Sequence, residues 1–213
     1  MASSSVPGMS EPDGDEPGTN HGARTGRPRR GRRRTDGEGP GGGTEAQAKD
    51  VCLRLLTDRA RSRAELATKL EQKGFAPEVS ERALDRLAEV GLIDDADFAQ
   101  QWARSRHLFS GKGKRAIALE LRRKGVSDDD AAEALDGIDA ASERERAAEL
   151  VRKKLRTQAP LPTEGDRREI AAERDRLVRR LVGMLARRGF AQGMAFEVVR
   201  DELDGHTHDL PTE

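Results

Sequence analysis

The sequence is poor both in the side chains that fill a large core and in those that build an active site. It holds one tryptophan, five phenylalanines and no tyrosine, and its hydrophobic residues (34%) are outnumbered by its charged ones (37%). So little bulk argues against one deep core. Small helical units in a row, each with a thin core, fit better. A single cysteine, Cys52, excludes an internal disulfide and a cysteine-based zinc site, and suits a reducing cytoplasm. No run approaches the ~18 apolar residues of a membrane span. The first residues lack the apolar segment of a signal peptide. Basic and acidic residues are equal, 39 of each, so only the local arrangement of charge can point to a partner.

Reactive groups are equally scarce. Of four histidines, His21, His206 and His208 stand in polar end segments, and His107 lies between arginines with no legible nucleophile. The His206–His208 pair lacks the further ligands of a stable zinc site. Gly111-Lys112-Gly113-Lys114 is not a Walker A loop: no glycine stands five residues before Gly113, and Arg115 replaces the required Ser or Thr. Asp94, Asp95 and Asp97 do not follow the spacing of a calcium loop and read better as helix-capping acids. The expectation is a binding protein without catalysis, cofactor or metal.

What is present is organised in three parts. Residues 1–44 are rich in Gly, Pro, Ser, Asp and Arg and read as a disordered tail, because they cannot offset the entropy of ordering. Seven arginines between Arg24 and Arg34 make that tail a solubilising extension that could also touch a polyanion. From Thr44 onward the apolar period is helical, as in Val51/Leu55, Leu66/Leu70, Val79/Ala83/Leu87 and Phe98/Trp102. Thr44 with Gln47, Ser62 with Glu65 and Ser142 with Glu145 read as capping boxes. Asp94 and Ser127 read as N-caps, and Pro77 sits at a first helical position. Gly74, Gly91, Gly125 and Gly189 each close a helical run. Trp102, Phe98 and Phe109 are spaced to share one core-facing helix face.

Three segments align on a glycine: LATKLEQKGFAPEVSERALDRL, IALELRRKGVSDDDAAEALDGI and LVGMLARRGFAQGMAFEVVRDEL. Leu66, Ile117 and Leu181 stand eight residues before it, and Leu70, Leu121 and Leu185 four before it. Lys73, Lys124 and Arg188 immediately precede it, and Phe75, Val126 and Phe190 follow it. An amphipathic helix precedes each segment, at about 45–60, 95–109 and 143–156. The unit is therefore helix A, helix B, glycine turn, helix C. The fold expected is all-α: three tandem three-helix, helix-turn-helix-like repeats forming an elongated array. The boundaries read 45–92, 93–139 and 140–205, with an insertion at 157–166 in the third repeat and a C-terminal tail at 206–213.

Charge is uneven. Eight basic residues between Arg104 and Lys124 face one acid, Glu120; Arg152–Arg156 adds four, and Arg174–Arg188 six against Asp175. Glu120 alone cannot pair with so many cations, so a basic binding surface is expected. Arg115 and Arg122, seven residues apart, share one face of a B helix. The C helices are acidic, with Glu78, Glu81, Asp85, Glu89 and Asp128 to Asp130, which disfavours insertion into a DNA groove.

The stretch RSRAELATKLEQKGF, then LDRLAEVGLIDDADFAQQWARSR and GKGKRAIALELRRKGV, resembles the RecX family of recombination regulators. The junction motif stands here as Gly91, Leu92, Ile93, Asp94, Asp95, Phe98, Ala99 and Arg104. The resemblance spans about 46–204 and is weakest in the third repeat. It implies a small cytoplasmic modulator that binds the RecA filament on single-stranded DNA and restrains strand exchange and ATP hydrolysis, with no cofactor. It points to Arg104, Lys112, Lys114, Arg115 and Arg122 as the partner-binding surface of a monomer. Single-stranded or duplex DNA is a further partner through the basic faces and the Arg-rich tail, and no membrane is involved. The alternative is a helical-repeat DNA-binding protein that acts without RecA.

Overall fold

The computed structural model describes residues 42–158 and 165–208, with side chains through Gly205. Residues 1–41 of the expected tail, 159–164 of the expected insertion and the side chains of His206 and His208 lie outside the described residues. Among the described residues there are nine helices and no strand. They run α1 Glu45–Asp58, α2 Arg63–Gln72, α3 Pro77–Glu89, α4 Asp95–Ser110, α5 Lys114–Arg123, α6 Asp128–Asp136, α7 Ala140–Leu155, α8 Arg167–Arg187 and α9 Gln192–His208.

The starts and stops follow local chemistry. Thr44 and Ser62 form reciprocal capping boxes with Gln47 and Glu65. Asp94 and Ser127 accept from the N–H of Asp97 and Asp130. Pro77 occupies the first position of α3, where a missing N–H costs nothing. Gly74, Gly91, Gly125 and Gly189 all have positive φ, so each closes its helix in the left-handed conformation. The third A helix departs from expectation. It begins at Ala140 on an Asp139 cap, and Ser142 supplies the N–H that Asp139 accepts rather than acting as the cap. Asp139 accepts several such backbone bonds, which hold its carboxyl below the ordinary range.

The hydrophobic positions separate into three cores, one per trio of helices. The first gathers Cys52, Leu66, Leu70, Ala83, Leu84 and Leu87. The second gathers Phe98, Ala99, Ala103, Ile117, Leu121 and Val126, and the third Val151, Leu181, Leu185, Phe190, Val198 and Val199. The six aligned residues before the glycines, Leu66, Ile117, Leu181, Leu70, Leu121 and Leu185, are all fully buried at 0% exposure. Each contributes roughly 2 kcal/mol of burial. Cys52 is a core residue whose thiol burial pushes upward, away from reactivity.

Two features differ from the sequence pattern. Phe109 is 86% exposed rather than in the core. The buried stripe of α4 follows Ala99, Ala103 and His107, and Phe109 lies about 200° round the helix from His107. The extra length of the third repeat is also shared between its A–B connection and helix B itself, because α8 has 21 residues against 10 in α2 and α5.

Candidate interaction surface

The three bundles meet through one joint, built twice. At the first joint the α2 N-cap reaches the residue before the next repeat's turn glycine: Ser62 Oγ donates to the Lys124 carbonyl at 2.5 Å. At the second, the α5 N-cap does the same with its backbone, Gly113 N–H to the Arg188 carbonyl at 2.9 Å, and Arg115 N–H follows to the Gly189 carbonyl at 3.2 Å. The start of each B helix therefore faces the end of the next one, and the helix dipoles meet positive to negative.

An acid from the following A helix completes each joint. Asp95 accepts from Arg63 N–H at 2.8 Å, and Glu143 accepts from Lys114 N–H at 2.9 Å. Each satisfies an N–H that an α-helix leaves open in its first turn. Burial raises the Asp95 carboxyl, and the Arg63 hydrogen bond only partly opposes that. Asp94 and Asp95 thus cap neighbouring helices, α4 and α2.

Close backbone approach explains the glycines. A Cβ on Gly125 would stand 2.3 Å from the Ala64 Cβ, and one on Gly189 2.3 Å from the Ala116 N. A Cβ on Gly113 would meet the Gly189 carbonyl oxygen at 2.6 Å. The Gly-Lys-Gly-Lys segment is therefore part of a joint. Gly111 ends α4 in a left-handed conformation, and Gly113 lets the two chains touch. Buried His107 supports the same turn, its Nδ1 lying 3.3 Å from the Lys112 carbonyl. The basic residue before each glycine reaches across its joint. Lys124 pairs with Glu65 at 2.9 Å, and Arg188 donates to the Ser110 carbonyl at 3.3 Å. Burial would raise the Glu65 carboxyl; hydrogen bonds from Lys124 and Arg59 outweigh it and hold the group below its ordinary value.

Much of the positive charge around repeat two is internal. Trp102 stacks on Phe98 with ring centroids 5.8 Å apart and donates its indole N–H to Glu120 at 3.0 Å. The Arg106 guanidinium and the Lys124 ammonium lie over its ring at 4.1 and 4.0 Å. Glu120 also pairs with Arg106 and Lys112. Burial alone would raise Glu120, and these partners together lower it. One acid, Glu120, thus holds two cations, and carbonyls, a ring and Glu65 absorb others that sequence counting left unpaired.

The five candidate residues consequently stand in different situations. Lys112 is tied to Glu120. Lys114 is half-buried at the second joint. Arg122 is 72% exposed in a surface pair with Asp128 at 3.2 Å, an arrangement that holds it weakly. Arg104 and Arg115 are exposed, and no carboxylate of the described residues lies within 4.0 Å of either. Arg104 edges a cleft with His107, Leu108, Glu133 and Ile138. The structure therefore places the candidates differently: Arg104, Arg115 and Arg122 are outward cations, Lys112 is committed to Glu120, and Lys114 gives its backbone N–H, not its ammonium, to the second joint. Sequence reasoning missed the Glu120 and Glu65 partnerships, because both bridge separate helices. The repeated basic residue before the glycine was the one signal that could have found the second.

Among the described residues no cluster of three His, Cys, Asp or Glu could hold a metal, and no helix is long and apolar enough to cross a membrane. Comparison with known proteins agrees with the repeat geometry. The model of the first three-helix domain of RecX matches residues 48–87, and that of its second three-helix domain matches 94–135. The chain is 59% identical to the regulatory protein RecX of Mycolicibacterium smegmatis over 160 residues, covering 75% of this chain and 81% of the relative. It is 55% identical to regulatory protein RecX of Mycobacterium avium, covering 75% and 86%. The crystal structure of RecX from Lactobacillus salivarius superposes with a TM-score of 0.62 over 74% of this chain and 96% of that one, at 19% identity, a likeness of fold. With two repeats matched in register and close relatives aligned over most of both chains, this chain belongs to the RecX family of regulatory proteins.

Proposed function

We propose that this protein regulates the RecA recombinase by binding its filament on single-stranded DNA and restraining strand exchange and ATP hydrolysis. The observation that carries this reading is the joint. It fixes three similar units in tandem, so that one chain can meet successive subunits of a partner that itself repeats. Modest interactions at each unit then add through effective concentration. The protein acts as a cytoplasmic monomer without catalysis of its own.

The outward cations supply the binding surface. Arg104, Arg115 and Arg122 meet acidic protein surface or phosphate, while the Lys112 ammonium and the Lys114 backbone N–H hold the turn that presents them. Reversing charge at Arg115 and Arg122 together weakens binding to RecA filaments by tenfold or more, since removing one charged interaction costs about 1 kcal/mol. Both side chains are exposed, so helicity and melting are retained. Co-sedimentation with filaments reads the effect, and unchanged affinity in the double variant would show that the filament binds elsewhere. DNA binding without RecA is disfavoured by the acidic C helices, whose first turns carry Glu78 in α3 and Asp128, Asp129 and Asp130 in α6.

A further inference from the structure

The end of α4 presents apolar side chains that the outward cations do not account for. Phe109 is 86% exposed, the most open of the large hydrophobic residues described, and its neighbour Leu108 is 47% exposed. The backbone that carries them is nevertheless held fast. An α-helix leaves its last four carbonyls open. In α4 the third repeat takes three of them. Arg146 donates to the carbonyl of His107, at 3.1 Å, and to that of Leu108, and Arg188 donates to that of Ser110 at 3.3 Å. The ring is thus mounted on a turn tied to α7 and to the end of α8. Covering a ring so mounted costs little further ordering.

A hole lies beside this knob. The cleft of about 370 Å³ between α4, α6 and the start of α7 has Leu108, Ala134 and Ile138 among its walls. Arg104, one turn before Leu108 on the same face, lines it too, and no carboxylate of the described residues pairs with that guanidinium. His107, 6% exposed, completes the wall. Its Nδ1 must carry the hydrogen, because the Lys112 carbonyl only accepts, and its Nε2 has no partner among the described residues. The cleft also holds Glu133, which repels phosphate. Around the ring, Gln101 and Ser105 are exposed and uncharged, so nothing there holds a nucleic-acid backbone. A folded protein surface can meet all of these at once, with an apolar pocket for the ring, a carboxylate for Arg104 and a side chain for the cleft.

We propose that Phe109 is the anchor by which the second repeat grips a protein partner: its ring enters an apolar pocket of that partner, whose own side chains fill the cleft beside Arg104. Because this rests on the filament reading, the partner is the recombinase subunit itself and not the DNA it coats.

The test measures affinity for RecA filaments on single-stranded DNA by co-sedimentation, with the full chain, at about 0.1 and about 0.4 M salt. F109A melts as the wild type does, since so exposed a ring adds little to the packing. It binds filaments about thirtyfold more weakly, the loss typical of a truncated aromatic anchor. That ratio persists at both salts, because apolar contact is not screened, whereas the effect of R115E/R122E shrinks. With Phe109 replaced by p-benzoylphenylalanine, irradiation joins the chain to the recombinase. F109A binding as tightly as the wild type overturns the proposal and leaves filament regulation in place. A cross-link that falls on the DNA, or on a second copy of this chain, does the same. A wild type that binds no filament overturns the filament reading itself, and the anchor with it.

Discussion

Substituting alanine at each turn glycine tests the joint, because the chain provides its own control. Gly74, Gly125 and Gly189 have φ of +82°, +74° and +90°, so a side chain at any of them is strained. That strain costs about 1–2 kcal/mol at each. Their surroundings differ. A Cβ on Gly74 meets nothing within 4 Å among the described residues, whereas on Gly125 it collides with Ala64 and on Gly189 with Ala116, both at under 2.5 Å. Neither collision can be relieved by turning a flexible side chain, because the atoms struck are backbone or Cβ. G125A and G189A therefore cost a further ~1–3 kcal/mol, the usual penalty of overpacking. For a chain of this size each kcal/mol lowers the melting temperature by roughly 2–4 °C. Circular dichroism melts of the three variants measure the order. The emission of Trp102, with Lys124 4.0 Å above its ring, reports the first joint directly and shifts in G125A alone. Adding A64G to G125A removes the clash at a helix-propensity cost of about 1 kcal/mol, so the double variant recovers part of the loss. Equal destabilisation at all three glycines would refute the joint as the reason for them.

Two further predictions concern the acids of the joints. D95A removes the acceptor of Arg63 N–H and costs about 1 kcal/mol, the worth of a helix cap. D95N keeps an acceptor oxygen and sheds a charge whose burial is unfavourable, so its melting temperature equals or exceeds that of the wild type at neutral pH; a loss in D95N as large as in D95A contradicts the capping role. Glu65 behaves in the opposite sense. Its carboxyl is held below the ordinary value of 4.5, so its contribution is present above that pH and is lost as the pH falls through the lowered folded value. E65Q is less stable than the wild type by about 1 kcal/mol at pH 7, and denaturant titrations show the gap closing below pH 4.5. A gap that stays constant to lower pH would show that the Lys124 pairing is not its source.

The parts legible in the sequence are those that local chemistry decides. The residues eight and four before each glycine had to be buried, because they recur on one helical face in three copies. Thr44, Ser62, Asp94 and Ser127 had to be caps, because each stands before a helical run with an N–H three residues on. Tertiary choices escaped. Asp139 and Ser142 are both good caps three residues apart, and the hydrophobic period does not choose between them. Phe109 lies eleven residues from Phe98, which returns it to the same face, but the buried stripe has drifted to His107 by that point. Glu120 looked outnumbered because cations were counted along the chain, while its partners arrive from α4 and from the Gly111–Gly113 turn. The turn glycines were legible as helix ends and not as joints, since the helix they touch belongs to the preceding repeat.

The third repeat does not offer the same joint again. The position in α8 that corresponds to Ser62 and Gly113, twelve residues before the glycine, is Leu177, inside a continuous helix. Its N–H is used within α8, so another unit could not dock there as the second and third do.

Restraint of RecA by a tandem array is read out by RecA-dependent ATP hydrolysis on single-stranded DNA titrated with this protein. The predicted result is inhibition that deepens up to stoichiometric levels, is weakened by R115E/R122E and is weakened again by G125A, which disturbs the array without touching an outward cation. Hydrolysis at the uninhibited rate, with no protein bound to the filament, would contradict regulation of the recombinase by this chain.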